Sequence, residues 1–240
     1  ANLAGLQIRA RMDRYGLTRE QLGAAVTTIR RHAGLNPSAV YREPLSLEDY
    51  LGARMISTPL SLYDCDVPCD GATAFVISRR EHAADLDHPG VMVDASSCAH
   101  LDRFQWEYGL DIRRMSSRWA GDIWTRTSLQ PSDVDVASLY DGFSVFLLCW
   151  LEDFGFCDVG EAGDFIGTGE RIGLGGELPV NTGGGQLSGG RLHGFGHLHE
   201  ACVQLRGEAG ERQVPGAEVA AVGVGAANSG TTAMLLTAER

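Results

Sequence analysis

Residues 133–154 read DVDVASLYDGFSVFLLCWLEDF, and their pattern decides the fold. Pro131-Ser132-Asp133 is turn chemistry, Val134 to Leu139 is a short apolar run of strand type, and Gly142 to Phe154 is apolar on nearly every side. A helix with no polar face must be covered all round, so a buried strand leading into such a helix predicts an α/β protein with a layered sheet. Tyr140-Asp141 falls between the two, at the carboxyl end of the strand, where α/β sheets place their ligands. Tyr140 is therefore a candidate functional residue, and its bland alternative is a tyrosine packed on the sheet edge.

Working outward, Leu3, Leu6 and Ile8 recur at helical spacing, and Thr18 with Gln21 forms a capping box ahead of Leu22, Val26 and Ile29. Helices are predicted over 19–33, 46–55, around 112–129 and over 192–206, the last from the spacing of Phe195, Leu198, Cys202 and Leu205. Strands are predicted over Thr73–Ser78, Val91–Ala95, Val134–Leu139, Val219–Val224 and Thr232–Leu236. The charged run from Arg79 closes at Pro89-Gly90, which sets a boundary between residues 1–89 and 90–240.

The 240 residues carry 20 basic and 31 acidic side chains, a formal net charge of −11. That balance argues against nucleic acid or an anionic membrane as partner. All 20 basic residues are arginine. Without lysine there is no Schiff base to a carbonyl substrate and no Walker-type phosphate loop, so carbon–carbon chemistry must run without an imine. Six scattered cysteines and no secretory signal fit a reducing compartment, with the cytoplasm as default, and no apolar run approaches a membrane span.

Fifteen of the 31 glycines fall between 155 and 196, marking loops where backbone approaches something closely. Gly183-Gly184-Gly185 and Gly189-Gly190, at the mouth of a helix, could cradle an anion. His193 and His197 are four residues apart and His199 is close by; they suit either a metal or the wall of a polar pocket. Cys65 and Cys69 have a spacing tolerable for zinc, but no second ligand pair accompanies them, and two buried or loop thiols are the simpler reading.

Together these pieces resemble the carboxyl-terminal part of the thiolase superfamily, in its lipid-transfer-protein branch and nearest the steroid side-chain aldolases. The likeness is carried by Asp70-Gly71-Ala72, by Asp133 to Phe143, by Leu151-Glu152-Asp153-Phe154-Gly155-Phe156-Cys157, by Leu178-Pro179-Val180-Asn181-Thr182-Gly183-Gly184, and by Gln204-Leu205-Arg206-Gly207. It implies a layered α-β-α-β-α fold, with residues 1–89 as the end of an incomplete amino-terminal half and 90–240 as a complete carboxyl-terminal half. The segment with a thiolase's nucleophilic cysteine would then precede residue 1, and the chain as it stands would leave an apolar face exposed.

Two departures from the thiolase pattern shape the expected chemistry. Where a thiolase's catalytic histidine would open the penultimate helix stands Arg191, in Ser188-Gly189-Gly190-Arg191-Leu192-His193-Gly194, and Gly223-Val224-Gly225 lacks the terminal cysteine. Arginine is no base at neutral pH. Tyr140, at the position thiolases give to a group that holds the thioester oxygen, looks like the aldolases. The resemblance thus implies retro-aldol cleavage of a β-hydroxyacyl-CoA to a ketone and a shorter acyl-CoA, with thiolase-type acyl transfer or a non-catalytic acyl-CoA or lipid-binding subunit as alternatives. The expected catalytic residues are Tyr140, as the proton-transfer group, with Arg191 or His193 near it, and the expected substrate-binding residues Asn181, Gly183, Gly184, Gly189 and Gly190. Arg191 is a cation that brings the Tyr140 phenol nearer working pH, a salt-bridged structural residue, or a contact to a CoA phosphate. No bound cofactor or metal is expected, the CoA thioester being substrate; the implied partners are a second copy of the chain and a small protein with an OB-fold and a zinc ribbon.

Overall fold

A computed structural model describes residues 1–85, 88–99, 120, 122–226 and 230–239. Helices α1 (Asn2–Tyr15), α2 (Arg19–Gly34) and α3 (Leu47–Gly52) precede a small hairpin, β1 (Met55–Ser57) and β2 (Leu60–Ser61). A four-stranded sheet follows from β3 (Val91–Ala99), β4 (Val136–Leu139), β5 (Val219–Val224) and β6 (Thr231–Ala238), in the order β3-β6-β5-β4. Strand β6 runs antiparallel to β3 and β5, whereas β4 is parallel to β5. Helices α4 (Ser144–Asp153), α5 (Ala162–Ile166) and α6 (Phe195–Leu205) complete the described elements.

Side chains on a strand alternate between faces, and here the two faces feed two cores. Ala137, Leu139, Ala221, Ala233 and Leu235 cluster with Leu148 and Trp150 of α4 and with Ile8 and Ile29 of α1 and α2. Val136, Ala220, Val222 and Leu236 cluster instead with Ala201 and Leu205 of α6. The sheet is thus sandwiched, as the apolar run 142–154 predicts; in α4 every residue from Ser144 to Glu152 is buried.

One local cap and two long-range contacts order the helical layer. Thr18 and Gln21 form both bonds of the capping box that starts α2. Arg11 of α1 reaches Glu152 of α4 at 2.5 and 2.9 Å, both side chains buried. His32, near the end of α2, holds the Val180 carbonyl at 3.1 Å through Nδ1. Burial pushes the His32 imidazole down to about 4, against the backbone hydrogen bonds that favour its charged form. An unfolded histidine titrates near 6.5, so between those values the unfolded chain takes up a proton that the native one refuses. His32 should therefore contribute its full stabilisation above about pH 6.5 and lose about 3 kcal/mol as pH falls toward 4. Urea midpoints across that window should fall more steeply for the parent than for His32→Asn; parallel slopes would contradict the assignment.

Several expected elements differ. Thr73–Ser78 is not a strand: Val76 and Ile77 are 91% and 92% exposed, and no described strand pairs with the segment, so its backbone lacks the neighbour that a ladder needs. The helix expected over 46–55 ends at Gly52, and Met55 turns into the hairpin. The helix expected over 192–206 begins only at Phe195, because His193 and Gly194 have φ of 49° and 94°, which no right-handed helix accepts. His193 and His197 therefore do not share a helix face. The helix expected around 112–129 lies largely outside the described residues; its described end holds a single 3₁₀ turn, Ile123–Thr125. Helix α5 was not expected from the sequence. Among the described residues, no helix is long and apolar enough to cross a membrane.

Candidate active site

The site is built where β4 ends. Asn181 sits at φ 51° and lays its amide against the strand tip, accepting from the Leu139 N–H at 2.7 Å and donating to the Leu139 carbonyl at 2.9 Å. The side chain thus imitates one more residue of a β-ladder and fixes the direction in which Tyr140 and Asp141 leave the sheet. Asn181 enters the site as a brace, its amide engaged at both ends.

Tyr140 is held at its backbone by the Gly223 carbonyl at 2.9 Å, and its ring lies 6.4 Å from Phe146 and 6.3 Å from His197. A Cβ on Gly142 would come within 2.8 Å of the Tyr140 ring and 3.1 Å of its hydroxyl, so the missing side chain seats the phenol. Burial raises the Tyr140 pKa; a Gln186 contact opposes it, Asp66 and Asp141 add to it, and Arg191 opposes it least. The sequence expectation that a cation would draw this phenol toward ionisation is corrected here. With its pKa above the ordinary value of about 10, the phenol carries its proton at neutral pH.

The Arg191 guanidinium lies 3.5 Å from the Asp66 carboxylate, and its side chain is 41% exposed. Asp66 itself has a raised pKa, from burial first, opposed by Arg191 and His193 and reinforced by Asp141. Its segment is stitched into place by Asp66 N–H to the Gly142 carbonyl at 3.2 Å, Val67 N–H to the Gln186 carbonyl at 3.0 Å, and Arg191 N–H to the Val67 carbonyl at 2.8 Å. Arg191 and His193 thus come to the site beside Asp66, with His193 exposed on the loop before α6.

Behind them lies a cavity of about 420 Å³ whose wall includes Asn181, Gly183, Gly189, Gly190, Gln186 and His197. Tyr140 stands against Gln186 and His197 of that wall. Gly184, at φ 98°, starts the π-helical turn Gly185–Gly189. A Cβ on Gly185 would overlap Asp141 Oδ2 at 2.0 Å, so only glycine lets this turn close over the carboxylate. The Gln186 N–H then donates to Asp141 Oδ1 at 2.7 Å, and His197 Nε2 lies 3.1 Å from the same oxygen. Among the described residues no group of three or more histidine, cysteine or acidic side chains forms a metal-binding cluster.

Asp66, Asp141 and Gln186 were not singled out by sequence. Asp141 carried one readable signal, its place beside Tyr140 at the strand end. Asp66 and Gln186 lie in loop segments whose composition says nothing about which strand tip they meet.

A family profile described as thiolase C-terminal domain-like matches residues 111–238. The chain is 38% identical over 208 residues to a 17-hydroxy-3-oxo-4-pregnene-20-carboxyl-CoA lyase of Mycobacterium tuberculosis, which covers 83% of this chain and 53% of that protein. The chain belongs to the thiolase superfamily. It is also 37% identical over 213 residues to a steroid side-chain-cleaving aldolase of Thermomonospora curvata, covering 83% of this chain and 52% of the relative. Among solved structures, the Ltp2-ChsH2(DUF35) aldolase matches with a TM-score of 0.88 at 32% identity, over 99% of this chain and 63% of that one. The chain spans about half the length of these two sequence relatives. Membership of the thiolase superfamily agrees with the resemblance read from the motifs.

Proposed function

We propose that this protein cleaves a β-hydroxyacyl-CoA thioester by a retro-aldol reaction, releasing a ketone and a shorter acyl-CoA, with a steroid or related lipid side chain as substrate. The observation that carries the reading is the neutral Tyr140 phenol at the end of β4, in a site where Arg191 and Gly223-Val224-Gly225 replace the acid/base groups of thiolysis. Two relatives at 37–38% identity named as lyase and aldolase support it.

The chemistry asks for two things. A proton must leave the β-hydroxyl, and the negative charge that reaches the thioester oxygen as the carbon–carbon bond breaks must be held. Tyr140 donates its hydroxyl to that oxygen; burial keeps the proton on the phenol and so keeps the donor available. Arg191 with Asp66 lines the approach, and Gly183, Gly189 and Gly190 line the cavity that takes the acyl group, while Gly184 packs against Ala33. His193, on the exposed loop, contacts the approaching thioester rather than the buried reacting atoms. No bound cofactor takes part. By the family likeness the working assembly is a homodimer with a small partner of OB-fold and zinc-ribbon type, in the cytoplasm; the second component named in the matching aldolase structure supports a protein partner.

The test is an assay of the full-length protein, with any co-encoded partner, on a tertiary β-hydroxyacyl-CoA and separately on a β-ketoacyl-CoA with free CoA. Cleavage of the first with negligible thiolysis of the second is expected. Brisk thiolysis without cleavage would replace this reading with that of an acyltransferase, and binding without either reaction would leave a carrier subunit.

A further inference from the structure

Around the cavity, buried polar atoms without a hydrogen-bond partner come from two segments: Ser138 Oγ of β4 with Asp141 Oδ2 just beyond it, and the amide of Gln186, which reaches only a contact with Tyr140. Ser138, Gln186 and His197 line the cavity and are 1%, 2% and 4% exposed. A buried polar group left unsatisfied costs about 1–3 kcal/mol, so water or a polar ligand must meet these atoms.

His197 has the arrangement of a proton carrier. Its Nε2 is 3.1 Å from Asp141, a fully buried carboxylate, and its ring is beside Tyr140. A carboxylate on one ring nitrogen orients the imidazole and stabilises the cation formed when the other nitrogen takes a proton. We propose that His197, clamped by Asp141, is the proton-transfer group of this site, an assignment that rests on the retro-aldol reading. His197 Nδ1 takes the β-hydroxyl proton; the O–H electron pair becomes the ketone C=O; and the pair of the breaking carbon–carbon bond passes to the enolate, whose oxygen Tyr140 holds. The same proton then returns from His197 to the α-carbon, giving the shorter acyl-CoA. One proton moves from oxygen to carbon, and no co-reactant is consumed. Asp141 is a positioning residue in this scheme, and Arg191 transfers no proton.

The return step can be read without cleavage. In D2O the full-length protein should exchange the α-protons of propionyl-CoA, the three-carbon thioester left when the bond beside the 17-hydroxyl breaks in the lyase relative's named substrate, and proton NMR follows the loss of signal. His197→Ala should slow both exchange and cleavage by about 10²–10⁴-fold with KM little changed. Added imidazole should restore much of the exchange, which a purely structural role would not allow. His197→Gln, which keeps polarity and bulk but is no base, should lose exchange to the same extent while keeping the parent's thermal midpoint. Parent-like exchange in His197→Gln, or no exchange by the parent, would overturn the assignment. Exchange that depends on His197 in a protein that cleaves no β-hydroxyacyl-CoA would uphold it and sink the retro-aldol reading instead.

Discussion

Replacing Tyr140 with phenylalanine is expected to lower kcat for cleavage by about 10²–10³-fold, the usual cost of deleting one donor to a developing oxyanion. The change removes one oxygen and nothing else. The ring keeps its neighbours Phe146 and His197 and its seat over Gly142, so the thermal midpoint and KM should stay close to the parent's. Because the phenol is held protonated by burial, the rate should not depend on its ionisation across neutral pH, and Tyr140→Phe should leave the shape of the pH profile intact while lowering its height. A variant within about threefold of the parent would remove Tyr140 from the reaction, as the size of one lost donor is far larger than that.

The second large effect is on stability. Arg11 and Glu152 are both buried, the guanidinium reaches both carboxylate oxygens, and Glu152 also accepts from the Gly160 N–H at 3.0 Å. Removing one partner strands the other charge in a low-dielectric interior. Glu152→Ala should therefore cost about 3–5 kcal/mol in urea unfolding, whereas Arg11→Met with Glu152→Leu should recover most of that loss, since apolar replacement of a whole buried pair is often neutral or better. A single-variant loss below about 1 kcal/mol would mean that water reaches the pair. Arg11 lies on α1 and Glu152 on α4, so the same measurement reports whether the first helix is docked on the sheet layer.

How much of this could be read from sequence depended on how local each signal is. The capping box at Thr18, the all-apolar run at 142–154 and the strand at Val219–Val224 are written in neighbouring residues, and the structure matches them closely. Thr73–Ser78 failed because an apolar run records a liking for burial but not the strand that would pair with it. The helix before Leu205 began late because a positive φ at His193 is set by the glycine-rich turn it follows, not by its own side chain. Of the site, Tyr140 was legible from its place at a strand end. Asp66, Gln186 and the partnership of His197 with Asp141 were not, since they meet across 45 residues or more and no spacing rule spans such distances.

Asn181 has one more consequence. Its amide closes the end of β4 as a rung of backbone would, so the direction of Tyr140 is set before the chain reaches Gly183. The segment Ala72–Ala74, which lines the same cavity without belonging to a helix or strand, can then change content, and so remodel the acyl-facing wall, without dragging the phenol with it. A library randomised at Ala72 and Thr73 should consequently yield altered substrate choice more often than dead protein, whereas one at Asn181 should yield mostly the latter. The fold keeps its reactive end and its selective end on separate hinges, which gives a catalyst latitude to acquire new substrates.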